Sequence, residues 1–290
     1  MSRYESWLAG GTRMRVQLGG ETFHAFVRTA GNGGWCTLLH GFPTSSFDWH
    51  HAWDALAGEH RLVAFDFLGF GDSDKPADHA YSIHEQADLT ERVWALHGVD
   101  RTVLLVHDYG VSVAQELLAR QRDGALAVAI ERTVFLNGGL YPELHRPQPG
   151  QLLLLDPENG PKIGPLMNAD TFGRSLLPTF SPAHPPSPED LADAWASVER
   201  RGGALVAHLL IRYIRDRERH RDRWVDALEK SDVPRAFVWG LLDPVSGAHM
   251  AERIAIGLPD AELVRLADVA HWPQLEAPDV VVPHLLRLLR

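Results

Sequence analysis

Val106-His107-Asp108-Tyr109-Gly110 puts an aspartate on what reads as a sharp turn between a strand and a helix. The preceding residues, 101–107, form an apolar, β-branched run suited to a buried strand. Residues 111–120 carry apolar side chains at helical spacing. A carboxylate is already ionised at neutral pH, so it can attack an electrophilic sp3 carbon without a base to activate it. Attack on an ester carbonyl would instead give a labile anhydride. Epoxides and carbon–halogen bonds therefore suit this residue better than esters.

An acid and a base follow in chain order. Asp243 stands in Trp239-Gly-Leu-Leu-Asp-Pro244 and His271 in Val269-Ala-His-Trp-Pro273, each in a loop just past a strand-like run. Loops at the carboxyl ends of parallel strands face the ligand side of the sheet, so Asp108, Asp243 and His271 are expected at one edge. There the acid can orient the imidazole and stabilise its charged form. His40-Gly-Phe-Pro43 also follows a strand. The backbone N–H groups of Phe42 and Tyr109 are candidates for an oxyanion hole. Plainer readings exist for each: a turn aspartate before proline, one of 16 histidines, a simple strand-end turn. Their joint register is what favours chemistry. Ser112 lies inside the helix and reads as structural. No His, Cys or carboxylate spacing resembles a metal site, and no phosphate loop or dinucleotide fingerprint occurs, so no cofactor is expected.

The elements that must hold these residues alternate along the chain. Residues 13–27 predict an opening hairpin around Gly19-Gly20. Strands are expected at 35–39, 61–67, 101–107, 133–136, 235–239 and 261–266. Helices are expected at 49–56, 82–96, 111–120 and 278–290, with Ser82 and Glu85 spaced as a capping box. Such alternation predicts an α/β fold, a mostly parallel central sheet with helices on both faces. Regularity breaks in a proline-rich stretch containing helical runs at 189–200 and 204–215. Residues 140–222 thus read as a helical cap inserted into a core of 1–139 and 223–290. The run Arg215-Asp-Arg-Glu-Arg-His-Arg-Asp-Arg223 alternates in sign and reads as a solvated helix face.

Composition narrows the partners. Hydrophobic residues make up 45% and charged residues 23% of 290, ordinary for a globular chain. A formal charge of −10 argues against general affinity for nucleic acid or an anionic membrane. The single cysteine, Cys36, lies in a strand-like run, reads as core packing and fits a reducing compartment. No signal-peptide pattern and no apolar run of membrane-spanning length are seen, so a soluble, cytoplasmic protein is expected. A homodimer stays open.

His40-Gly-Phe-Pro43, Gly69-Phe-Gly-Asp-Ser73, His107-Asp-Tyr-Gly110 and His271 together resemble the α/β-hydrolase branch of epoxide hydrolases and haloalkane dehalogenases. Further stretches resemble the mesoderm-specific transcript group of that branch. These are Val113-Ala-Gln-Glu-Leu117, Phe135-Leu-Asn-Gly-Gly139, Pro142-Glu-Leu-His-Arg-Pro147, Leu242-Asp-Pro244 and Trp272-Pro-Gln-Leu-Glu276. The resemblance implies an α/β-hydrolase fold and a two-step reaction. Asp108 forms an alkyl-enzyme ester, and His271, held by Asp243, activates the water that cleaves it.

Leaving-group ligands separate the members. Haloalkane dehalogenases carry tryptophan after the nucleophile, where this chain has Tyr109, and Phe42 stands where they place a second ligand. The variant with its acid after the preceding strand is excluded by neutral Asn137. Epoxide hydrolases use cap tyrosines, for which Tyr213 and Tyr141 are candidates; His40 is carried with them as a substrate-side residue. Tyr213 reads equally as a residue packing its helix on the core. The reading is an epoxide hydrolase acting on a small apolar organic substrate. The alternatives are a haloalkane dehalogenase or a low-turnover protein binding a small ligand.

Overall fold

The computed structural model describes residues 1–290. Its strands are β1 (Thr12–Leu18), β2 (Glu21–Ala30), β3 (Trp35–Leu39), β4 (Arg61–Phe65), β5 (Arg101–Val106), β6 (Ala129–Leu136), β7 (Arg235–Gly240) and β8 (Glu262–Leu266). They form one sheet in the order β1-β2-β4-β3-β5-β6-β7-β8. β1 and β2 pair antiparallel and β2 runs antiparallel to β4; every other pair is parallel. The expected hairpin turns at Gly19-Gly20, whose φ values of 56° and 89° only glycine adopts cheaply in succession.

Helices α1 (Arg3–Ala9), α2 (Trp53–Ala57), α3 (Ile83–His97) and α4 (Tyr109–Arg122) precede β6. The long β6–β7 connection holds α5 (Pro149–Leu155), α6 (Gly160–Ile163), α7 (Ala169–Leu176), α8 (Pro188–Glu199), α9 (Gly203–Leu210), α10 (Tyr213–Arg219) and α11 (Arg221–Lys230). α12 (Ala248–Gly257), α13 (Pro273–Glu276) and α14 (Pro278–Leu288) complete the chain. Two hydrophobic cores flank the sheet. Side chains of α3, α4, α11 and α12, such as Trp94, Leu117, Trp224 and Ile254, fill one. Trp7, Trp53, Val281 and Leu285 of α1, α2 and α14 fill the other. The central strand β3 is buried along its whole length, Cys36 included, as a parallel strand covered on both faces must be.

Three helix expectations change. The run at 49–56 splits into a 3-10 turn, Ser46–Trp49, and α2. Asp48 accepts from Thr44 and from the Gly41 N–H, tying that turn back to the β3 loop. Ser82 caps α3 by accepting from the Glu85 N–H, but the Glu85 carboxylate turns to His79 instead of closing the box. The run at 204–215 breaks after Leu210, so Tyr213 opens a new helix, α10. No helix is long and apolar enough to cross a membrane.

The insertion α5–α10 lies over the carboxyl ends of the strands. Ion pairs fasten its far side: Arg3 to Asp190 at 2.9 Å and Asp193 at 3.0 Å, and Arg200 to Asp72 at 2.7 Å. α11 returns to the main body against α4, where Glu116 gathers Arg120, Arg223 and the Trp224 indole N–H.

Candidate active site

The β5–α4 turn fixes Asp108. Its φ of 45° and ψ of −102° are strained for a residue with a Cβ, and neighbours hold it there. The Asp108 N–H donates to Asn137 O at 2.8 Å and the Gly110 N–H to His40 O at 3.0 Å. α4 enters so close to β3 that a Cβ on Gly110 would stand 2.7 Å from Leu39 O. Val111 finds its room at Gly138, where a Cβ would meet the valine methyls at 2.7 Å. The bulk behind the turn is thus accommodated from β6.

Asp108 Oδ2 accepts from the Phe42 N–H at 2.9 Å. The Tyr109 amide is the first of α4, where helical N–H groups have no intrahelical acceptor. Oδ1 lies 3.9 Å from His271 Nε2, and His271 Nδ1 lies 2.8 Å from Asp243 Oδ2. Asp108, Asp243, His271 and the Phe42 amide therefore meet at one edge of the sheet. All four residues are buried.

Asp243 is held by more than the imidazole. It accepts from Ser246 Oγ at 2.6 Å, the Val245 N–H at 2.7 Å and Asn137 Nδ2 at 3.0 Å. Burial opposes its charge, but His271 and these donors outweigh it and hold its pKa well below the usual carboxylate range. Burial likewise works against the His271 cation; Asp243 and Asp108 overcome it and raise the pKa to about 9. The imidazole thus holds its proton more tightly than an ordinary histidine does. The His271 loop is anchored by Glu276, which accepts from the Ala270, Trp272 and Ser181 N–H groups. Ser181 belongs to the insertion, so both layers position the His271 loop.

The substrate-side candidates divide. Tyr213 is brought to the site: its ring packs against Phe42 and Tyr109 at 5.8 and 5.0 Å, and its buried hydroxyl makes no hydrogen bond of normal length. Burial, then the Asp108 charge, push its pKa further above neutrality. Tyr141 is elsewhere, donating to Glu229 at 3.0 Å with Arg253 over its ring. His40 is spent on structure. Its Nδ1 bonds Gly41 O at 2.8 Å, its Nε2 accepts from the Phe67 N–H at 3.1 Å, and burial drops its pKa to about 3.

Two residues at the site were not assigned from sequence. Asn137 braces the acid. Arg217 lies in the charge run read as a solvated face, and that reading fails for it. Its neighbours Arg215, Arg221 and Arg223 form exposed or half-exposed pairs. Arg217 itself is 1% exposed. Its Nε donates to Ser112 Oγ at 2.6 Å and its Nη2 to Asp108 O at 3.1 Å, with Asp108 Oδ1 3.8 Å away. Tyr213 and Arg217 are four residues apart on α10 and share a face; that spacing was the only local signal.

A cavity of about 520 Å³ opens between the insertion and the sheet edge, with Phe42, Ile163, Met167, Leu176, Val245 and His271 in its walls. This lining is mainly apolar and includes the His271 imidazole.

The α/β hydrolase fold family model matches residues 37–278. The chain belongs to the α/β-hydrolase family, in the branch that includes epoxide hydrolases, haloalkane dehalogenases and the mesoderm-specific transcript group. The mesoderm-specific transcript homolog protein of Bos taurus is 45% identical over 253 residues, 83% of this chain and 74% of that protein. The putative hydrolase LipZ of Mycobacterium tuberculosis is 39% identical over 284 residues, 98% of this chain and 96% of that one. Two solved structures share the fold. The haloalkane dehalogenase DatA from Agrobacterium tumefaciens C58 has a TM-score of 0.78 at 22% identity, over 97% of this chain and 96% of its own. The epoxide hydrolase CorEH has a TM-score of 0.74 at 21%, over 96% and 98%.

Proposed function

We propose that this α/β hydrolase uses Asp108 as a nucleophile toward carbon and opens epoxides through an alkyl-enzyme ester. The observation that carries this reading is the pair of contacts on one carboxylate. Oδ2 is held by the Phe42 N–H, while Oδ1 is left toward His271. Oδ1 attacks the less hindered ring carbon, the C–O bond breaks, and its electron pair goes to the ring oxygen. Tyr213 gives that oxygen its proton, which the raised pKa keeps in place at neutral pH. Oδ2 becomes the carbonyl oxygen of the ester and already sits against the amide that would stabilise an oxyanion.

Loss of the Asp108 charge lowers the proton affinity of His271, which releases its proton to solvent and regains one when the carboxylate is restored. The neutral imidazole meanwhile takes a proton from a water attacking the ester carbonyl. The acyl C–O bond breaks, the imidazolium protonates the departing alkoxide, and the diol leaves. The new Asp108 carboxyl proton restores Tyr213. Epoxide and water are consumed and one diol formed. Residues 140–222 act as the cap that gives the cavity its apolar walls over a core of 1–139 and 223–290. The unpartnered Tyr213 hydroxyl favours ring oxygen over halide as the leaving group.

The test is His271→Gln, which should form the ester but not cleave it. Intact-protein mass after exposure to an epoxide panel is expected to rise by the mass of one substrate, and wild type to release diol. Halide without diol from a haloalkane panel makes the protein a dehalogenase instead. No adduct from either panel leaves a small-ligand-binding protein and removes the Asp108 reading.

A further inference from the structure

A second cavity, of about 330 Å³, lies between the insertion and the turn Ser46–Trp49, and neither Asp108 nor His271 lines it. Phe47, Asp48 and His50 wall it from the core side, Phe180 and Ala194 from the insertion. Leu176 and Trp272 line this cavity and the larger one alike, so they form the partition between the two. Asp48 is 3% exposed. Its Oδ2 accepts from the Thr44 hydroxyl at 2.8 Å and the Gly41 N–H at 3.3 Å, while no donor and no cation reaches Oδ1. The other buried acids outside the active site, Asp66, Asp72, Glu116, Asp193 and Glu276, have a donor or a cation on both oxygens. Burial, aided by the Asp108 and Asp66 charges, raises the Asp48 pKa to about 8. A second open acceptor stands on the same wall. His50 Nδ1 bonds Phe47 O at 2.8 Å, which places its proton there, and Nε2 is buried without a partner. Burial and neighbouring His51 lower the His50 pKa to about 4, so the ring is neutral.

We propose that this cavity binds a primary ammonium carried on a small apolar or aromatic body, at a site separate from the substrate cavity. The site does not depend on what Asp108 attacks. An ammonium offers three N–H donors and no acceptor; ionised Asp48 and neutral His50 offer the cavity acceptors and no donor. Asp48 gives its proton to water as the cation arrives, so the empty site holds no buried charge and the filled site holds an ion pair. The rings of Phe47, Phe180 and Trp272 favour a cation further, and the apolar part of the lining takes the body. An anion would meet Asp48, Asp190 and Glu276 with no free cation to receive it, because Arg3 is already paired with Asp190 and Asp193. A neutral alcohol of the same shape brings one donor and no charge.

The test is calorimetric titration of the wild-type chain at neutral pH with benzylammonium, and with benzyl alcohol and benzoate as probes of similar shape. Benzylammonium is expected to bind saturably, and the other two about tenfold or more weakly. Asp48→Asn keeps an oxygen for Thr44 and Gly41 but puts an amide nitrogen in place of Oδ1. It is expected to weaken benzylammonium about 10- to 100-fold, the range for losing a hydrogen bond to a charged partner, and to leave benzyl alcohol unchanged. Ala194→Phe leaves Asp48 in place and fills the cavity from a half-buried position on α8. It is expected to abolish benzylammonium binding, and it carries the test if Asp48→Asn does not fold; thermal melts identify the folded variants. No saturable binding to wild type, equal affinity for the three probes, or an affinity for benzylammonium unchanged in either folded variant overturns the proposal.

Discussion

Replacing Asp108 by asparagine should lower the pKa of His271 by a predictable amount. The Asp108 carboxylate lies 3.9 Å from His271 Nε2, with both side chains about 5% exposed. At an effective dielectric of about 20, a unit charge at that distance is worth about 4 kcal/mol, close to three powers of ten in proton affinity. The His271 pKa is raised to about 9 in the wild type. In Asp108→Asn it should fall to roughly 6, close to an ordinary imidazole. The variant also imitates the ester, which is equally uncharged and of similar shape. In the proposed reaction, the base is then created by the first chemical step. The check is side-chain 1H–15N NMR of His271 titrated from acid to alkaline pH in both proteins. A midpoint that stays at or above about 9 in Asp108→Asn would refute the reasoning, because the raised value would then owe nothing to Asp108.

Further outcomes are expected. The folded pKa of His271 lies above its ordinary value of 6.5, so its contribution to stability is complete below pH 6.5 and is lost as pH rises through about 9. That loss is on the order of 3 kcal/mol, counted once with Asp243. Calorimetric Tm should decline over this window in wild type but not in His271→Gln; parallel declines would rule out the linkage. Asn137→Leu removes a donor from buried Asp243 and the two bonds to Gly240, and should cost about 1–3 kcal/mol by urea denaturation; an unchanged midpoint would show that the brace is dispensable. Gly110→Ala drives a Cβ toward Leu39 O at 2.7 Å and should cost about 1–3 kcal/mol by overpacking. A variant as stable as wild type would mean that α4 can move off β3.

The chain itself determined where Asp108, Asp243 and His271 stand. Asp108, Asp243 and His271 each follow an apolar, β-branched run, and β5, β7 and β8 are parallel members of one sheet. Parallel strands share a carboxyl edge, so a local signal at each strand end sufficed to bring residues from three distant segments together. The Phe42 amide was legible for the same reason, being just past β3.

The surrounding residues were not legible. Tyr141 and His40 lie near the edge in sequence, but packing turns one hydroxyl to Glu229 and occupies both nitrogens of the other. Arg217 sits in a run whose alternating charges look solvated, and five residues of that run do form pairs at the surface. What buries Arg217 is the elbow carbonyl of a residue 109 positions away and the Ser112 hydroxyl. Strand ends are fixed by backbone hydrogen bonding and hydrophobic period, which are local properties of a chain. The direction of a side chain across an interface between two layers is set by what the other layer presents, and only the folded molecule decides that.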